Sequence, residues 1–159
     1  MKVKPVPEIC DALGVYRERV QQLIRNDIVK LEAGRPGRGV TAQATLRDAL
    51  RIAVVIRLTD IGVPREIAAE AADAVQPFVQ DPEQFGGVYL LVTIEKPHLL
   101  PPGPGPVKAN AMRGYFHYRV LRQADLAEDL GSNGYLSAAV VPIHMINEEL
   151  SALYSPSAD

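Results

Sequence analysis

The chain contains little of what several large classes of protein require. Its 159 residues include one cysteine, Cys10, and no tryptophan. One cysteine forms no disulfide within a chain and supplies no thiolate metal site, which needs several such ligands. No run of about 18 apolar residues occurs, so we expect no membrane-spanning helix. The first ten residues lack an apolar run and contain Pro5 and Pro7, so we expect no signal peptide and a cytoplasmic, reduced protein.

Recognisable catalytic motifs are also missing. The sequence has no HExxH, no GxSxG and no phosphate-binding loop, since GRPGRG lacks the lysine and the Ser or Thr of such a loop. The three histidines, His98, His117 and His144, lie far apart along the chain. The composition, 47% hydrophobic and 23% charged, is that of a folded globular protein. We therefore predict a protein that is not an enzyme and has no cofactor or metal site.

Charge is unevenly divided along the chain. Residues 1–66 carry 12 Lys and Arg against 8 Asp and Glu, a net charge of +4, whereas residues 67–159 carry 5 against 11, a net charge of −6. A basic segment joined to an acidic one suggests that only the first meets a polyanion. Two solvated surfaces of different composition are the alternative.

The basic half begins with two short helical patterns around Gly14. Residues 6–13, VPEICDAL, place a proline at the start of a helix, and the glycine just after them favours a left-handed stop. The pattern resumes over residues 16–26, where Val20, Leu23 and Ile24 share one face. Two short helices joined by a tight turn are typical of a helix-turn-helix.

A β-hairpin is predicted after the second helix. Ile28, Val29 and Leu31 are typical of a strand, AGRPGRG must turn, and Val40 allows a return strand. Such a hairpin would form a wing over residues 34–39, with a flexible linker as the alternative.

Two further helices follow the predicted wing. Thr45 and Asp48 have the spacing of a capping box and open a helix over residues 45–61. That helix is apolar around most of its circumference, so we expect it to be buried between two modules or at a dimer contact. Pro64 then starts another helix that reaches Val75.

The periodicity changes near residues 76–86, where we predict a domain boundary. Three strands are predicted in GVYLLVTIE, GYFHYRVL and YLSAAVVPI, with a long Pro- and Gly-rich loop, KPHLLPPGPGPVKANAM, after the first. RQADLAEDLGSNG fits a short helix or a loop, and HMINEELSALY a final amphipathic helix before a disordered tail, SPSAD. The predicted fold is α+β: a winged helix-turn-helix over residues 1–75, then a small antiparallel three-stranded sheet with a C-terminal helix over residues 86–154.

Residues 6–75 resemble the winged helix-turn-helix of MerR-like transcription regulators. The order of elements matches, the turn reads Leu13-Gly14-Val15, and LTDIGVPREIA is similar to the family's hinge between its later helices. The resemblance implies DNA binding. It does not imply metal sensing, because the cysteines that follow the dimerisation helix of metal-sensing members are missing. The family's Arg-Tyr-Tyr-Glu run is also replaced, here by residues 21–24.

Side chains of the types that contact DNA lie on this predicted surface. Arginine pairs with guanine, and glutamine or asparagine with adenine, in the major groove. Arginine on a glycine-rich tip reaches phosphates or the minor groove, although a solvated helix face is the plain alternative. Arg47 and Arg51 are either further phosphate contacts or a solvated pair. The predicted contact residues are Arg17, Arg19, Gln21, Gln22, Arg25, Asn26, Arg35 and Arg38.

The function expected from these observations is that of a sequence-specific transcriptional regulator acting as a homodimer on double-stranded DNA. A phage or mobile-element packaging or excision factor with the same module, and a protein-interaction adaptor without DNA, are the alternatives. The second module holds enough aromatic residues to line an effector pocket or to fill a sheet core: Tyr89, Tyr115, Phe116, Tyr118 and Tyr135. Asp125, Glu128 and Asp129 fit a solvated acidic cluster better than a cation site.

Overall fold

The structure is a computed structural model that describes residues 2–34, 36–79, 87–94, 116–132 and 137–155. Its fold is α+β, as predicted. The helices and strands of these residues, in chain order, are β1 Lys4–Pro5, α1 Val6–Leu13, α2 Arg17–Arg25, β2 Gln43–Ala44, α3 Leu46–Asp60, α4 Arg65–Val79, β3 Val88–Ile94, β4 Phe116–Arg122, α5 Gln123–Ser132, β5 Ser137–Pro142 and α6 Ile143–Tyr154.

The turn between α1 and α2 depends on Gly14. This glycine caps α1 with a φ of 66°, and the next amide, that of Val15, donates to the Cys10 carbonyl at 2.9 Å. The buried side of α2, formed by Val20, Leu23 and Ile24, joins the core that also holds α1. The predicted glycine stop and both predicted helices are therefore confirmed.

Replacing Gly14 with alanine is expected to lower the free energy of unfolding by about 1 kcal/mol, because a left-handed backbone is costly for a residue with a Cβ. No atom lies within 4 Å of the added Cβ, so the cost is conformational and not steric. Gly131, in α5, is the matched control: alanine there also meets no atom but removes a helix-breaking residue, and should stabilise by about 0.5 kcal/mol. Urea denaturation measures the free energy of unfolding of both variants. A lower value at Gly131 as well as at Gly14 would contradict the importance of the left-handed turn.

The predicted β-hairpin wing is wrong. Among the described residues between α2 and β2 there are turns and bends but no strand, and β2 pairs antiparallel with β1. Val29 and Leu31 are buried in the core, and α3 side chains take the backbone polar groups beside them. Arg51 donates to the Lys30 carbonyl at 3.0 Å, and Asp48 accepts from the Glu32 amide at 3.1 Å. Backbone groups that would bond to a neighbouring strand are therefore hydrogen-bonded to side chains of α3. The segment over residues 32–42 is called the glycine-rich loop below.

Helix α3 is buried within the chain. The predicted capping box is present: the Thr45 hydroxyl accepts from the Asp48 amide, and the Asp48 carboxylate accepts from the Thr45 amide. Its exposed positions are confined to Arg57 and Asp60, and it packs against α4, α6 and β5. The expectation of burial between the two halves of the chain is confirmed, and no apolar face of α3 is left to bind a second copy.

Helix α4 extends further than its sequence pattern indicates. We predicted an end near Val75, but the helix continues to Val79 with Pro77 inside it. Proline beyond the first turn removes one intrahelical hydrogen bond and disfavours continuation of the helix, and α4 ends two residues after Pro77. Residues 80–86, where the predicted boundary continues, lie outside the described residues, so the division into domains stays a prediction.

The three predicted strands form the predicted antiparallel sheet, in the order β4-β3-β5. Leu90 on β3 is opposite Val120 on β4 and Val141 on β5. Leu90 and Val141 face the same core as α3, α4 and α6. On the opposite face, Arg119 pairs with Asp129 of α5 at 2.9 Å. The segment RQADLAEDLGSNG therefore forms a helix over most of its length, whereas the Pro- and Gly-rich loop and residues 156–159 of the tail lie outside the described residues.

One buried core joins the two halves of the chain, and α6 closes it. Ile146, Leu150 and Tyr154 of α6 belong to the same cluster as the buried residues of α1 to α4. The Tyr154 hydroxyl donates to the Ala44 carbonyl of β2 at 2.8 Å. Burial, together with the charges of Asp48 and Glu8, raises the pKa of this phenol, so it stays protonated as a donor. Within the described part of the chain, no helix combines the length and apolar character needed to cross a membrane.

Candidate nucleic-acid interface

Helix α2 presents a polar ridge to solvent. With Val20, Leu23 and Ile24 buried, the 3.6-residue period turns Gln21, Gln22 and their neighbours outward. Its outward side chains are all exposed: Glu18, Gln21, Gln22, Arg25 and, just beyond the helix, Asn26. The Arg25 guanidinium donates to the Gln21 side-chain oxygen at 3.3 Å. The ridge therefore offers amide and guanidinium groups that can reach a ligand without moving the backbone.

A cleft separates this ridge from the glycine-rich loop. Its volume is about 350 Å³, and Gln21, Ile24 and Arg25 line one wall. The other wall is formed by Pro36 and the stretch 39–42 of the loop. Arg38 and Val40 of the loop are both exposed. The helix and the loop therefore border one surface, even though the loop is not a hairpin.

A second cleft lies along the other flank of α2, where the turn between α3 and α4 approaches. Its volume is about 260 Å³, and Arg19 and Gln22 line it together with residues 62–65. Arg65, the first residue of α4, is exposed at its rim. The ridge of α2 thus stands between two clefts, one on each side.

The predicted contact residues fall into two groups. Arg17 is held by Asp11 of α1 through two hydrogen bonds, at 2.7 and 3.0 Å, and Arg19 is held by Asp60 at the end of α3. For these two arginines, contact with DNA stays a prediction that requires a phosphate or base to replace a carboxylate. The residues Gln21, Gln22, Arg25, Asn26 and Arg38 are exposed around the ridge and loop. Arg35 lies outside the described residues.

Two exposed cations are missing from the residues predicted to contact DNA, and one of them, Arg65, lines the second cleft. Lys30 and Arg65 are exposed, and among the described residues neither forms an ion pair; the same holds for Arg38. Arg65 follows Pro64 in LTDIGVPREIA, the segment whose resemblance to the hinge of MerR-like regulators was the sequence signal for this position. No sequence signal pointed to Lys30 as a DNA contact, because its segment was interpreted as a strand.

Arg47 and Arg51 serve the fold. Arg47 donates to Glu32 at 3.0 Å and to the Gln76 side chain at 3.2 Å, whereas Arg51 pairs with Asp73 of α4. Both guanidinium groups therefore connect α3 to its neighbours. The two arginines are therefore not a simple solvated pair, and a phosphate contact by either stays a prediction, as it does for Arg17 and Arg19.

Cys10 and His144, which the sequence also offered as reactive or binding residues, are packed against neighbouring residues. The Cys10 thiol is buried, and this burial, with the charge of Asp11, raises its pKa and makes it a poor nucleophile. The His144 Nδ1–H donates to the Val88 carbonyl, 3.2 Å away, and the ring meets the Tyr89 ring edge-on at 5.1 Å. No group of three or more His, Cys, Asp and Glu side chains that could hold a metal ion occurs among the described residues.

The aromatic residues considered for an effector pocket are divided by the structure. Phe116 and Tyr118 belong to or pack against the shared core. Tyr115, Tyr135 and His98 lie outside the described residues, and His117 is exposed on β4. The described aromatic side chains of this module therefore contribute to packing.

Comparison with known proteins does not assign the chain to a family. No protein-family model matches the chain, and no curated protein sequence is significantly similar to it.

Proposed function

We propose that the protein is a sequence-specific DNA-binding regulator of bacterial or phage type that acts in the cytoplasm. In this proposal α2 enters the major groove, where Gln21, Gln22, Arg25 and Asn26 contact base edges. Lys30, Arg38 and Arg65 contact phosphates. The observation that carries the proposal is the exposed ridge of α2 between two clefts, with Arg38 and Arg65 at its flanks and neither in an ion pair among the described residues.

The dimensions fit this arrangement. An α-helix with its side chains is about 10–12 Å across, and the major groove is about 12 Å wide. When a helix enters the groove, the two sugar-phosphate backbones lie along its flanks. The clefts beside α2 lie at those flanks, with Arg38 on the loop side and Arg65 on the side of the α3–α4 turn.

With three phosphate contacts proposed for each copy, from Lys30, Arg38 and Arg65, we propose that two copies bind together. Three phosphate contacts give a slope of about −3 for log K against log salt, and nonspecific binding that is weak at physiological salt. Two copies on a two-part site double the slope to about −6 and provide the affinity a regulator needs. Since α3 is buried within the chain, we place the contact between copies in the C-terminal half.

Selection from a randomised duplex library, followed by a salt titration on the enriched duplex, tests the proposal. Enrichment of a two-part sequence and a slope near −6 are the expected results. Binding without enrichment would favour a packaging or excision factor. A lack of binding even at low salt would favour a protein adaptor and overturn the proposal.

Two substitutions should separate phosphate contact from base contact. Arg38→Ala is expected to weaken binding to every duplex and to flatten the salt slope by about one unit for each copy bound. Gln22→Ala, or Arg25→Ala on the same ridge, should instead relax the preference at one base position while random duplex is bound as before. Arg122→Ala is the matched control, because it removes an exposed arginine on β4, outside both clefts. If the Arg38 and Arg122 variants bound DNA equally well, the loop would not be part of the interface.

A further inference from the structure

Arg19 is held by the last turn of α3 through three acceptors. Its guanidinium donates to the Asp60 carboxylate, to the Thr59 hydroxyl at 2.7 Å and to the Ile56 carbonyl at 3.4 Å. The Thr59 hydroxyl itself donates to the Ile56 carbonyl at 2.9 Å. Two of the three acceptors are therefore linked to each other, and a cation at the C-terminal end of a helix is also favoured by the helix dipole.

This contact gives α2 a directional link to α3, as the pair of Arg17 and Asp11 links α2 to α1. Burial of the apolar side chains of α2 turns its polar side outward, whereas the final rotation about the helix axis also depends on directional contacts. A planar guanidinium with fixed N–H directions, bound to several acceptors, does fix such a rotation. The Arg19 contact therefore adds to the apolar packing by fixing the direction of the outward side chains of α2 relative to the end of α3.

The consequence is greatest at the cleft between α2 and the α3–α4 turn. Arg19 and Gln22 line its α2 side, and Arg65 lies on the opposite side. Asp60, which holds Arg19, ends α3 only five residues before Arg65. A single contact thus fixes Gln22, a proposed base contact, relative to Arg65, a proposed phosphate contact.

We propose that Arg19 is a positioning residue that sets the orientation of α2 against DNA and does not itself contact the duplex. This inference rests on the proposed DNA binding. It predicts that Arg19 and Asp60 act as one unit: removing either partner should impair recognition of the preferred sequence. It also predicts that the phosphate contacts, and with them the salt slope, stay unchanged.

A double-mutant cycle with Arg19→Ala and Asp60→Asn on the selected and on random duplex tests the proposal. Each single variant and the double variant should bind the selected duplex about tenfold more weakly, because all three lose the same contact. Binding to random duplex and the salt slope should equal those of the wild type. Arg19→Lys should not restore recognition, because an ammonium cannot reproduce the planar fork.

A direct DNA contact by Arg19 predicts the opposite pattern and would overturn the proposal. Asp60→Asn would then release Arg19 and strengthen binding to both duplexes, whereas Arg19→Ala would flatten the salt slope. Additive losses in the double variant would also overturn it. Thr59→Val supplies an independent variant that removes one acceptor without changing charge, and it should weaken only the selected duplex.

The controls separate this inference from the function on which it rests. Arg57→Ala removes another charge of α3, paired with Glu149 at 3.7 Å and outside the cleft, and should bind both duplexes as the wild type does. If the wild type failed to bind any duplex at low salt, the proposed function and this inference would both be overturned. A wild type that binds while its variants show the direct-contact pattern would overturn this inference alone.

Discussion

Replacing Asp48 with alanine is expected to lower the free energy of unfolding by about 3 kcal/mol. This carboxylate is 2% exposed and accepts hydrogen bonds from the amides of Thr45, at 3.0 Å, and Glu32, at 3.1 and 3.2 Å. Its removal leaves two amides without their partner and deletes half of the capping box, and each such loss costs about 1–3 kcal/mol. Asp48→Asn retains one acceptor oxygen and should lose less.

Urea denaturation measures the effect, with Asp73→Ala as the matched control. Asp73 also forms an ion pair with a guanidinium of α3, but its side chain is 54% exposed, so its loss should cost less than about 1 kcal/mol. Because Asp48 holds the backbone at Glu32, its loss should also loosen the glycine-rich loop and raise amide exchange there. A loss at Asp48 no larger than the loss at Asp73 would show that these hydrogen bonds do not hold α3 to the loop.

Replacing Leu150 with alanine is the second change with a large expected effect, and it should also lower the free energy of unfolding by about 3 kcal/mol. Leu150 of α6 is 1% exposed in the core that joins the two halves of the chain, and such truncations cost about 2–5 kcal/mol. Helix α6 packs against α1, α3 and β3. The loss should therefore destabilise the first half of the chain as well as the second, in one cooperative transition.

Amide hydrogen exchange shows which parts of the chain lose stability when Leu150 is truncated. In the Leu150→Ala variant, the slowest amides of α3 and β3 should lose protection equally, because both depend on the same core. Met145→Ala is the control: this α6 side chain is 58% exposed and its truncation should change stability by less than about 0.5 kcal/mol. Unchanged protection in α3 would mean that residues 2–79 fold without α6.

Local signals in the sequence predicted the local structure well. The Pro7 start, the Gly14 stop and the Thr45–Asp48 capping box each act within one turn of backbone, and the structure contains all three. The strand patterns of the C-terminal half were equally informative, since alternation of apolar residues reflects a sheet with one face on the core. These features could be predicted because the residues that cause them are neighbours in the chain.

The wing was predicted wrongly because its backbone partners are distant in sequence. Val29 and Leu31 have strand-forming side chains, but Asp48 and Arg51, from the next helix, take the backbone groups beside them. No short-range pattern shows that a helix side chain will compete with a strand for an amide. The same limit applies to Arg19, whose partners lie some 40 positions further along the chain.

The sequence by itself determined the α+β class, the two short helices around Gly14, the three strands and the polar character of the exposed side of α2. Only the tertiary structure decided which of the basic residues are neutralised by carboxylates, which remain uncompensated beside α2, and that one core joins both halves of the chain. The reason is physical: helix stops, caps and alternation arise from interactions over a few residues. Ion pairing and burial depend on which segments meet in space, and that is fixed only when the whole chain has packed.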